Sequence, residues 1–373
     1  MLKFKRLVVF FVLLSLVSSA LLFAGGKSEP APAAAAKKTY DLTFASVTGS
    51  VYLYPVYVAR EKGWFKDAGL NLKELTFASG PVMVEALASN GWDLGISGIG
   101  GILPGAITHG AALLAPINTD DGTQMLFVRN NSPILTAGTG KNSLDSRIYG
   151  DAASWKGKKV LCNTGAVLQY FLIRVLGGFN LTPNDVQFMA MDVATAGSAF
   201  RAGEGDVVAM TGSSGTMAML ADKNFTAVAK GPWVDTGLIG AAYANKNSMA
   251  NSERREAMKI FFKVYYDTID WIFQQKNYEE VIKMMIDFSD ESGLPMNRES
   301  SEFYLKIDTF YSLQDAIKMM TTKAPGKDYS VMEAKLLGVL QFFIDTGSRK
   351  PDDAQQLLGH VDASVLQEVL AKK

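Results

Sequence analysis

The chain has 373 residues, of which 48% are hydrophobic and 20% charged, a composition typical of a globular protein long enough for two domains. Lysine plus arginine and aspartate plus glutamate each number 37, so no field of one sign predicts nucleic acid or an anionic membrane surface as a partner. The single cysteine, Cys162, excludes a disulfide within this chain; its apolar strand predicts a buried filler, with a reactive thiol as the alternative.

The first residues have the three parts of a secretory signal peptide, assigned to residues 1–24. Three basic residues precede the apolar run Leu7–Val17, and small residues follow it. Cleavage after Ala20 or Ala24 satisfies the small-residue rule equally well. The run is shorter than the ~20 residues of a membrane-spanning helix, which leaves an uncleaved anchor as the alternative. Residues 25–39 form a low-complexity linker, and the chain is predicted to be exported to the periplasm or cell surface.

Strands alternate with helices along the first half of the chain. The predicted order is strand Tyr40–Ser46, helix from Val51 to Lys62, strand Leu70–Phe77, helix Pro81–Ala88, strand Trp92–Ile96, helix Ile102–His109, strand Ala111–Asn118 and strand Thr123–Val128. Strands separated by helices indicate a parallel sheet, whose ligands bind beyond the carboxyl ends of the strands.

The alternation restarts after a loop, residues 130–153, that is rich in Gly, Ser, Asn and Asp. It gives strand Val160–Asn163, helix Ala166–Leu176, strand Val186–Ala190, helix Val193–Ala202, strand Asp206–Met210, helix Met217–Ala221 and strand Phe225–Ala229. From Asn251 on the chain is predicted to be helical, with capping boxes that begin at Asn277 and Ser330. The predicted fold class is α/β, with two lobes that face each other across a ligand cleft and extra C-terminal helices.

Motifs of catalysis and metal binding are absent from the sequence. The two histidines, His109 and His360, stand at predicted helix ends, and no HExxH, CxxC, P-loop or EF-hand spacing occurs. The glycine-rich turns match neither the GxGxxG nor the GxSxG pattern. We therefore predict no cofactor, no metal site and no enzymatic activity.

Four segments in the two predicted lobes carry motifs that occur together in one known family. They are EKGWFKDAGLNL, SGPVMVEALASNGWDLGISGIGG, WKGKKV followed by TGAVLQYFL, and AFRAGEGDVVAM. Together they resemble the solute-binding proteins of ABC importers for nitrate, sulfonates, taurine and thiamine precursors, the SsuA/NMT1-THI5-like group. The resemblance implies a type II periplasmic-binding-protein fold whose lobes close on a small molecule by a hinge. It also implies a membrane permease as partner and a monomeric chain.

The same resemblance implies where the chain crosses between its lobes. The first crossing is expected near Leu126–Asn130 and the return near Gly237–Ala244. Lobe one then holds residues 40–128 and 239–373, and lobe two holds residues 129–238.

Carried over position by position, the resemblance implies ligand contacts in the small polar turns that follow the strands. The implied contacts are Ser46, Thr48, Ser50, Tyr52, Ser97, Gly98, Ile99, Asn118, Asp120, Thr164, Gly165, Ala166, Asp192, Ser213, Ser214 and Trp233. For Ser50, capping of the following helix is an equal alternative to a ligand contact. For Trp233, the alternative is a position at the rim of the cleft or in the core.

The charges in these turns bear on the class of ligand. The turns contain no lysine or arginine but do contain Asp120, Asp121 and Asp192. Carboxylates at a cleft favour a neutral, amine-bearing or heteroaromatic ligand over nitrate or sulfonate. The alternative is that these aspartates are solvated or cap helices.

Two other functions are compatible with the same fold. One is an enzyme that resembles the pyrimidine-precursor synthase of the thiamine pathway, which the export signal and the scarcity of histidine and cysteine disfavour. The other is an exported sensor that passes its ligand to a receptor.

Overall fold

The structure of the chain is a computed structural model that describes residues 38–293, 296–307 and 309–372. The predicted signal peptide and residues 25–37 of the predicted linker lie outside the described residues. Within the described part of the chain, no helix combines the length and the apolar character needed to cross a bilayer.

Ten strands among the described residues form two five-stranded sheets. They are β1 (Tyr40–Val47), β2 (Leu70–Phe77), β3 (Leu94–Ser97), β4 (Ala112–Thr119), β5 (Met125–Arg129), β6 (Lys159–Cys162), β7 (Gln187–Ala190), β8 (Val207–Met210), β9 (Phe225–Lys230) and β10 (Ile239–Ala244). The strand order is β2-β1-β3-β10-β4 in the first sheet and β7-β6-β8-β5-β9 in the second. The predicted α/β class with two lobes is confirmed.

The sheets are mixed rather than purely parallel. In the first sheet β1 runs parallel to β2 and β3, whereas β10 is antiparallel to β3 and β4. In the second sheet β6 runs parallel to β7 and β8, whereas β5 is antiparallel to β8 and β9. The chain enters the second sheet from the first through β5, and it returns to the first sheet through β10.

Helices cover the sheets and fill the C-terminal part of the chain. Those in the described residues are α1 (Tyr54–Glu61), α2 (Trp64–Ala68), α3 (Gly80–Ala88), α4 (Ile99–His109), α5 (Pro133–Thr136), α6 (Ala152–Trp155), α7 (Val167–Gly177), α8 (Val193–Arg201), α9 (Ser213–Ala221), α10 (Lys246–Ala250), α11 (Ser252–Ile272), α12 (Tyr278–Glu291), α13 (Arg298–Ile307), α14 (Leu313–Thr321), α15 (Val331–Asp345), α16 (Asp353–Leu357) and α17 (Ser364–Leu370). Most predicted helices of the two lobes therefore exist, with ends that differ by a few residues.

The chain passes twice between the sheets, in two segments that lie side by side. The first segment is residues 120–124 and the second is residues 231–238. The backbone N–H of Asp120 donates to the carbonyl of Leu238 at 3.0 Å, which joins the two segments. Paired connections of this kind are suited to act as a hinge between rigid sheets.

Both predicted crossings lie a few residues further along the chain than the observed crossing segments. Met125–Arg129 forms β5 in the second sheet, and Ile239–Ala244 forms β10 in the first. Both runs are buried and apolar, so their pattern predicts a strand without indicating the sheet in which that strand pairs.

Helix α11 fixes the first sheet and the turn that follows β1. The ring of Phe261 stacks on Phe44 of β1 at 4.9 Å and on Phe65 of α2 at 5.5 Å. The hydroxyl of Tyr265 donates to the backbone carbonyl of Tyr52 at 2.8 Å. The C-terminal helical region therefore holds a predicted ligand contact in place.

Local predictions at helix ends have mixed outcomes. Ser330 and Glu333 form the predicted capping box of α15. Asn277 does not cap α12, because its side-chain amide donates to the carbonyl of Trp271 at 2.7 Å. Phe273 is 53% exposed because α11 ends one residue before it.

Cys162 ends β6 and is fully buried in the apolar core of the second sheet. Burial raises the pKa of its thiol to about 12. Its position and its protonated state agree with a structural filler.

We expect native Cys162 to react with iodoacetamide at least about 100-fold more slowly than in the unfolded chain, because the reactive thiolate is scarce and shielded. Mass spectrometry of alkylated protein at intervals measures both rates. The control is the same protein in guanidinium chloride, where labelling should go to completion. Native labelling at the unfolded rate would contradict the buried position.

Candidate functional site

Three predicted contacts form one row at the carboxyl edge of the first sheet. Strand β1 pairs with β3 at Ser46, β3 pairs with β10 at Ser97, and β10 pairs with β4 at Asn118. All three side chains are buried. The row confirms that residues distant in sequence meet at this edge, as the ends of neighbouring strands must.

Asp120 lies at the end of this row, in the first crossing segment, beside the amino end of α4. A Cβ built on Gly98, the residue before α4, would lie 2.5 Å from Oδ2 of Asp120. A side chain at position 98 would therefore displace the carboxylate, and glycine leaves the room that it needs.

Tyr52 connects Asp120 with Asn118. The charge of Asp120 contributes to the raised pKa of Tyr52, after burial, which is the larger cause. A Cβ built on Gly240 would lie 2.3 Å from Oδ1 of Asn118 and 3.2 Å from Cδ1 of Tyr52. With Ser50, whose hydroxyl hydrogen-bonds to the Tyr52 side chain, these residues define the Asp120 cluster. The Asp120 cluster consists of Ser50, Tyr52, Gly98, Asn118 and Asp120.

The Asp120 carboxylate is half-buried and has no hydrogen-bond or ion-pair partner among the described residues. Burial, and then repulsion from Asp121, raises the pKa of this carboxyl to about 7. Asp121 differs, because it is buried and its carboxylate accepts a hydrogen bond from Thr236 at 2.9 Å. Of the two adjacent carboxylates, Asp120 is the one available to a ligand.

Asn118 contributes a second acceptor without a partner. Its side chain is fully buried, and its Nδ2 donates to the carbonyl of Thr119 at 2.6 Å. Its Oδ1 has no hydrogen-bond partner. A buried acceptor left unpaired destabilises a fold by about 1–3 kcal/mol, so such atoms are uncommon away from binding sites.

The hydroxyl group of Ser97 is already bonded within the protein. It donates to the carbonyl of Gly98 at 3.1 Å and lies 3.0 Å from the hydroxyl of Tyr243. Ser97 therefore holds the start of α4 against β10. Ser50 does not cap the turn that follows it, so the capping alternative for that residue is wrong.

Three threonines meet at the first crossing segment, where the chain enters the second sheet. Oγ1 of Thr123 lies 3.1 Å from Oγ1 of Thr211 and accepts the backbone N–H of Gly212 at 3.1 Å. The hydroxyl of Thr216 donates to the carbonyl of Thr123 at 2.8 Å. These bonds fasten the turn before α9 to the first crossing segment.

The turn after β6 supplies the other predicted contacts of the second lobe. Thr164 and Ala166 are half-buried and Gly165 is exposed, just before α7. The N–H of Gly165 donates to Oε1 of Gln169 at 2.7 Å, so that donor is already satisfied. The side chains of Ser213 and Ser214, at the start of α9, lie outside the described part of the chain.

The side chains of three further predicted contacts bond to or pack against residues outside the Asp120 cluster. The exposed Thr48 donates from Oγ1 to a carbonyl of β2 at 3.4 Å. Asp192 caps α8, and its exposed carboxylate accepts the N–H of Thr195 at 3.0 Å and its hydroxyl at 2.6 Å. The ring of Trp233 packs on the second-sheet core, with the cations of Arg147 and Lys230 5.0 and 5.3 Å from its centroid.

Sequence reasoning did not single out Tyr243, Tyr304 or Thr123. The hydroxyl of Tyr243 hydrogen-bonds to that of Ser97. Tyr304 of α13 lies close enough to Tyr52 to contribute to the raised pKa of the Tyr52 hydroxyl. A tyrosine in the otherwise small-residue strand β10 was a usable signal for Tyr243. No local pattern connects α13 with the turn after β1.

Comparisons with known proteins agree with this architecture. Residues 50–134 match the family model described as NMT1/THI5 like. A protein of Brachyspira hyodysenteriae, provisionally named an ABC transporter periplasmic binding protein, is 26% identical over 258 residues, which cover 68% of this chain and 71% of that protein.

Two solved structures show the same fold. The periplasmic aliphatic sulphonate binding protein SsuA of Escherichia coli has a TM-score of 0.64 at 19% identity, over 86% of this chain and 92% of that one. The periplasmic nitrate-binding protein NrtA of Synechocystis has a TM-score of 0.56 at 15% identity, over 90% and 89%. The chain therefore has the periplasmic-binding-protein fold, and its resemblance to the NMT1/THI5-like solute-binding proteins is confirmed over residues 50–134.

Proposed function

We propose that the chain is an exported solute-binding protein, which captures one small molecule between its lobes and delivers it to an ABC importer. The observation that carries the proposal is the Asp120 carboxylate, which is half-buried and unpaired at the junction of the two sheets. Carboxylates withdrawn from water are normally paired, because an isolated buried charge is unfavourable. A carboxylate kept in this state is a candidate for ligand binding.

Ligand contacts are proposed from both lobes. The Asp120 cluster supplies the first lobe's contacts, with Ser46 near the end of β1 and Ile99 as the first residue of α4. The turn 164–166 and the pair Ser213 and Ser214 supply those of the second lobe. Ser97 acts by positioning α4.

The positions of Cys162 and the two histidines support binding rather than catalysis. Cys162 is buried as a thiol in the second-sheet core. His109 is the last residue of α4, whereas Asp120 lies beside its first turn. The carbonyl of His360 accepts the N–H of Leu113, near the start of β4, whereas Asp120 follows the end of that strand. The thiol and the two imidazoles of the chain are therefore remote from the cluster.

Two contacts between the lobes bear on opening and closing about the crossings. Lys335 of α15 forms an ion pair with Asp235 of the second crossing at 2.9 Å, and this partly exposed pair separates at little cost. The ring of Tyr170 on α7 lies 5.2 Å from that of Phe342 on α15, and both rings are buried, so wider opening would expose them to water.

The remaining parts of the proposal concern location and partners. The protein is exported to the periplasm or cell surface, its signal peptide is removed after Ala20 or Ala24, and it works as a monomer. Its partners are one small ligand and a membrane permease, with no nucleic acid among them.

We expect ligand binding to compact the protein, because closure brings the two sheets together about the paired crossings. Calorimetry over a broad metabolite panel identifies binders, and small-angle scattering with and without each binder measures the radius of gyration. Asp120→Asn is the control for weakened binding. If no compound gives heat and none reduces the radius, the proposal is wrong.

We expect Asp120→Asn to stabilise the ligand-free protein above pH 7 by about 2 kcal/mol, about half of what the full pKa shift corresponds to, because water screens the charge of the half-buried carboxylate. The folded state raises the pKa of this carboxyl to about 7, so wild-type stability falls as the pH rises from about 4 to about 7. The amide does not titrate and avoids the buried charge. Urea unfolding near pH 8 and near pH 4 measures the difference, which should shrink at the lower pH.

Asp328→Asn provides the matched control, because its side chain is fully exposed and lies 3.5 Å from Lys323. This variant should unfold at the same urea concentration as the wild type at both pH values. A lower stability of Asp120→Asn near pH 8 would mean that the carboxylate has a structural partner, and would contradict its assignment to the ligand.

A further inference from the structure

We propose that the ligand carries a cationic hydrogen-bond donor, such as a protonated amine or an amidine, which binds the Asp120 carboxylate together with the unpaired oxygen of Asn118. The inference rests on the proposed function, since it names the class of ligand for the same site.

Two acceptors of the Asp120 cluster have no partner. Oδ1 of Asn118 is fully buried without a partner, and the carboxylate of Asp120, two residues later, has none among the described residues. The hydroxyls of Ser50 and Tyr52 are bonded to each other, which uses one of their two O–H donors. A ligand that satisfies the two unpaired acceptors must supply N–H or O–H donors.

The Asp120 carboxylate has no compensating positive charge among the described residues. Asp121 is the charged group that acts on Asp120, and no lysine or arginine of the described residues does so. In the second crossing segment, Asp235 already pairs with the basic side chain of Lys335. A cationic donor would neutralise a carboxylate that the protein itself leaves uncompensated.

The start of α4 gives an independent reason against an anionic ligand. The amino end of a helix attracts anions, and α4 is 11 residues long. Here the approach is occupied, because Oδ2 of Asp120 lies 2.5 Å from the Cβ position of Gly98, the residue that precedes the helix. An anion bound at this helix end would lie against a carboxylate. SsuA and NrtA, which have the same fold, are named for the anions sulphonate and nitrate, whereas this chain places a carboxylate at this helix end.

The test compares benzamidine with benzenesulfonate, which share a ring and differ in the charge of the head group. Calorimetry measures both with the wild-type protein, with Asp120→Asn and with the exposed control Asp328→Asn. We expect benzamidine to bind the wild type and Asp328→Asn equally, and to bind Asp120→Asn at least about tenfold more weakly. Benzenesulfonate should not bind the wild type. Thermal unfolding of each variant verifies that it is folded.

The inference is overturned if the wild type does not bind benzamidine, if Asp120→Asn binds it as tightly as the wild type, or if benzenesulfonate binds better. Scattering separates these results from failure of the proposed function. Compaction with benzenesulfonate would leave a solute-binding protein with an anionic ligand. Absence of compaction with both probes and with every compound of the metabolite panel would contradict solute binding itself.

Discussion

The pairing of the two crossing segments determines where everything else in this molecule lies. The bond from Asp120 N–H to the carbonyl of Leu238 and the bond from Thr236 to Asp121 hold the segments together at the point where the chain changes sheets. Because β4 ends and β5 begins on either side of this point, the carboxyl edges of both sheets converge on residues 120–124. The site and the hinge are therefore built from the same residues, so contact with a ligand bears directly on closure.

The Asp120 cluster reduces stability, and the core around it compensates. An uncompensated carboxylate and an unpaired amide oxygen both oppose folding. Opposite them, Phe261 of α11 stacks on Phe44, and Tyr265 binds the carbonyl of Tyr52, so the turn that carries the cluster is anchored in the largest apolar core of the chain. A protein whose purpose is binding can retain unsatisfied polar groups where the rest of the fold supports them.

Local patterns predicted the elements of this fold but not the partners of their side chains. Alternation and capping located nearly all strands and the helix start at Ser330, and the rule for strand ends brought Ser46, Ser97 and Asn118 to one edge. The predicted helix that begins at Val193 makes Asp192 a candidate cap, which its bond to Thr195 confirms, but no pattern in the sequence predicts the burial of Asp120 or its lack of a partner. The crossings were misplaced because the pairing of β5 and β10 is decided by contacts distant in sequence.

Native mass spectrometry of the exported protein, purified without denaturation, tests solute binding at Asp120 most directly. We predict a wild-type population that carries one small molecule of positive charge, and an Asp120→Asn population in which that molecule is absent or strongly reduced while Asp328→Asn retains it. A copurifying anion, or a molecule retained equally by Asp120→Asn, would contradict binding of a cationic ligand at Asp120.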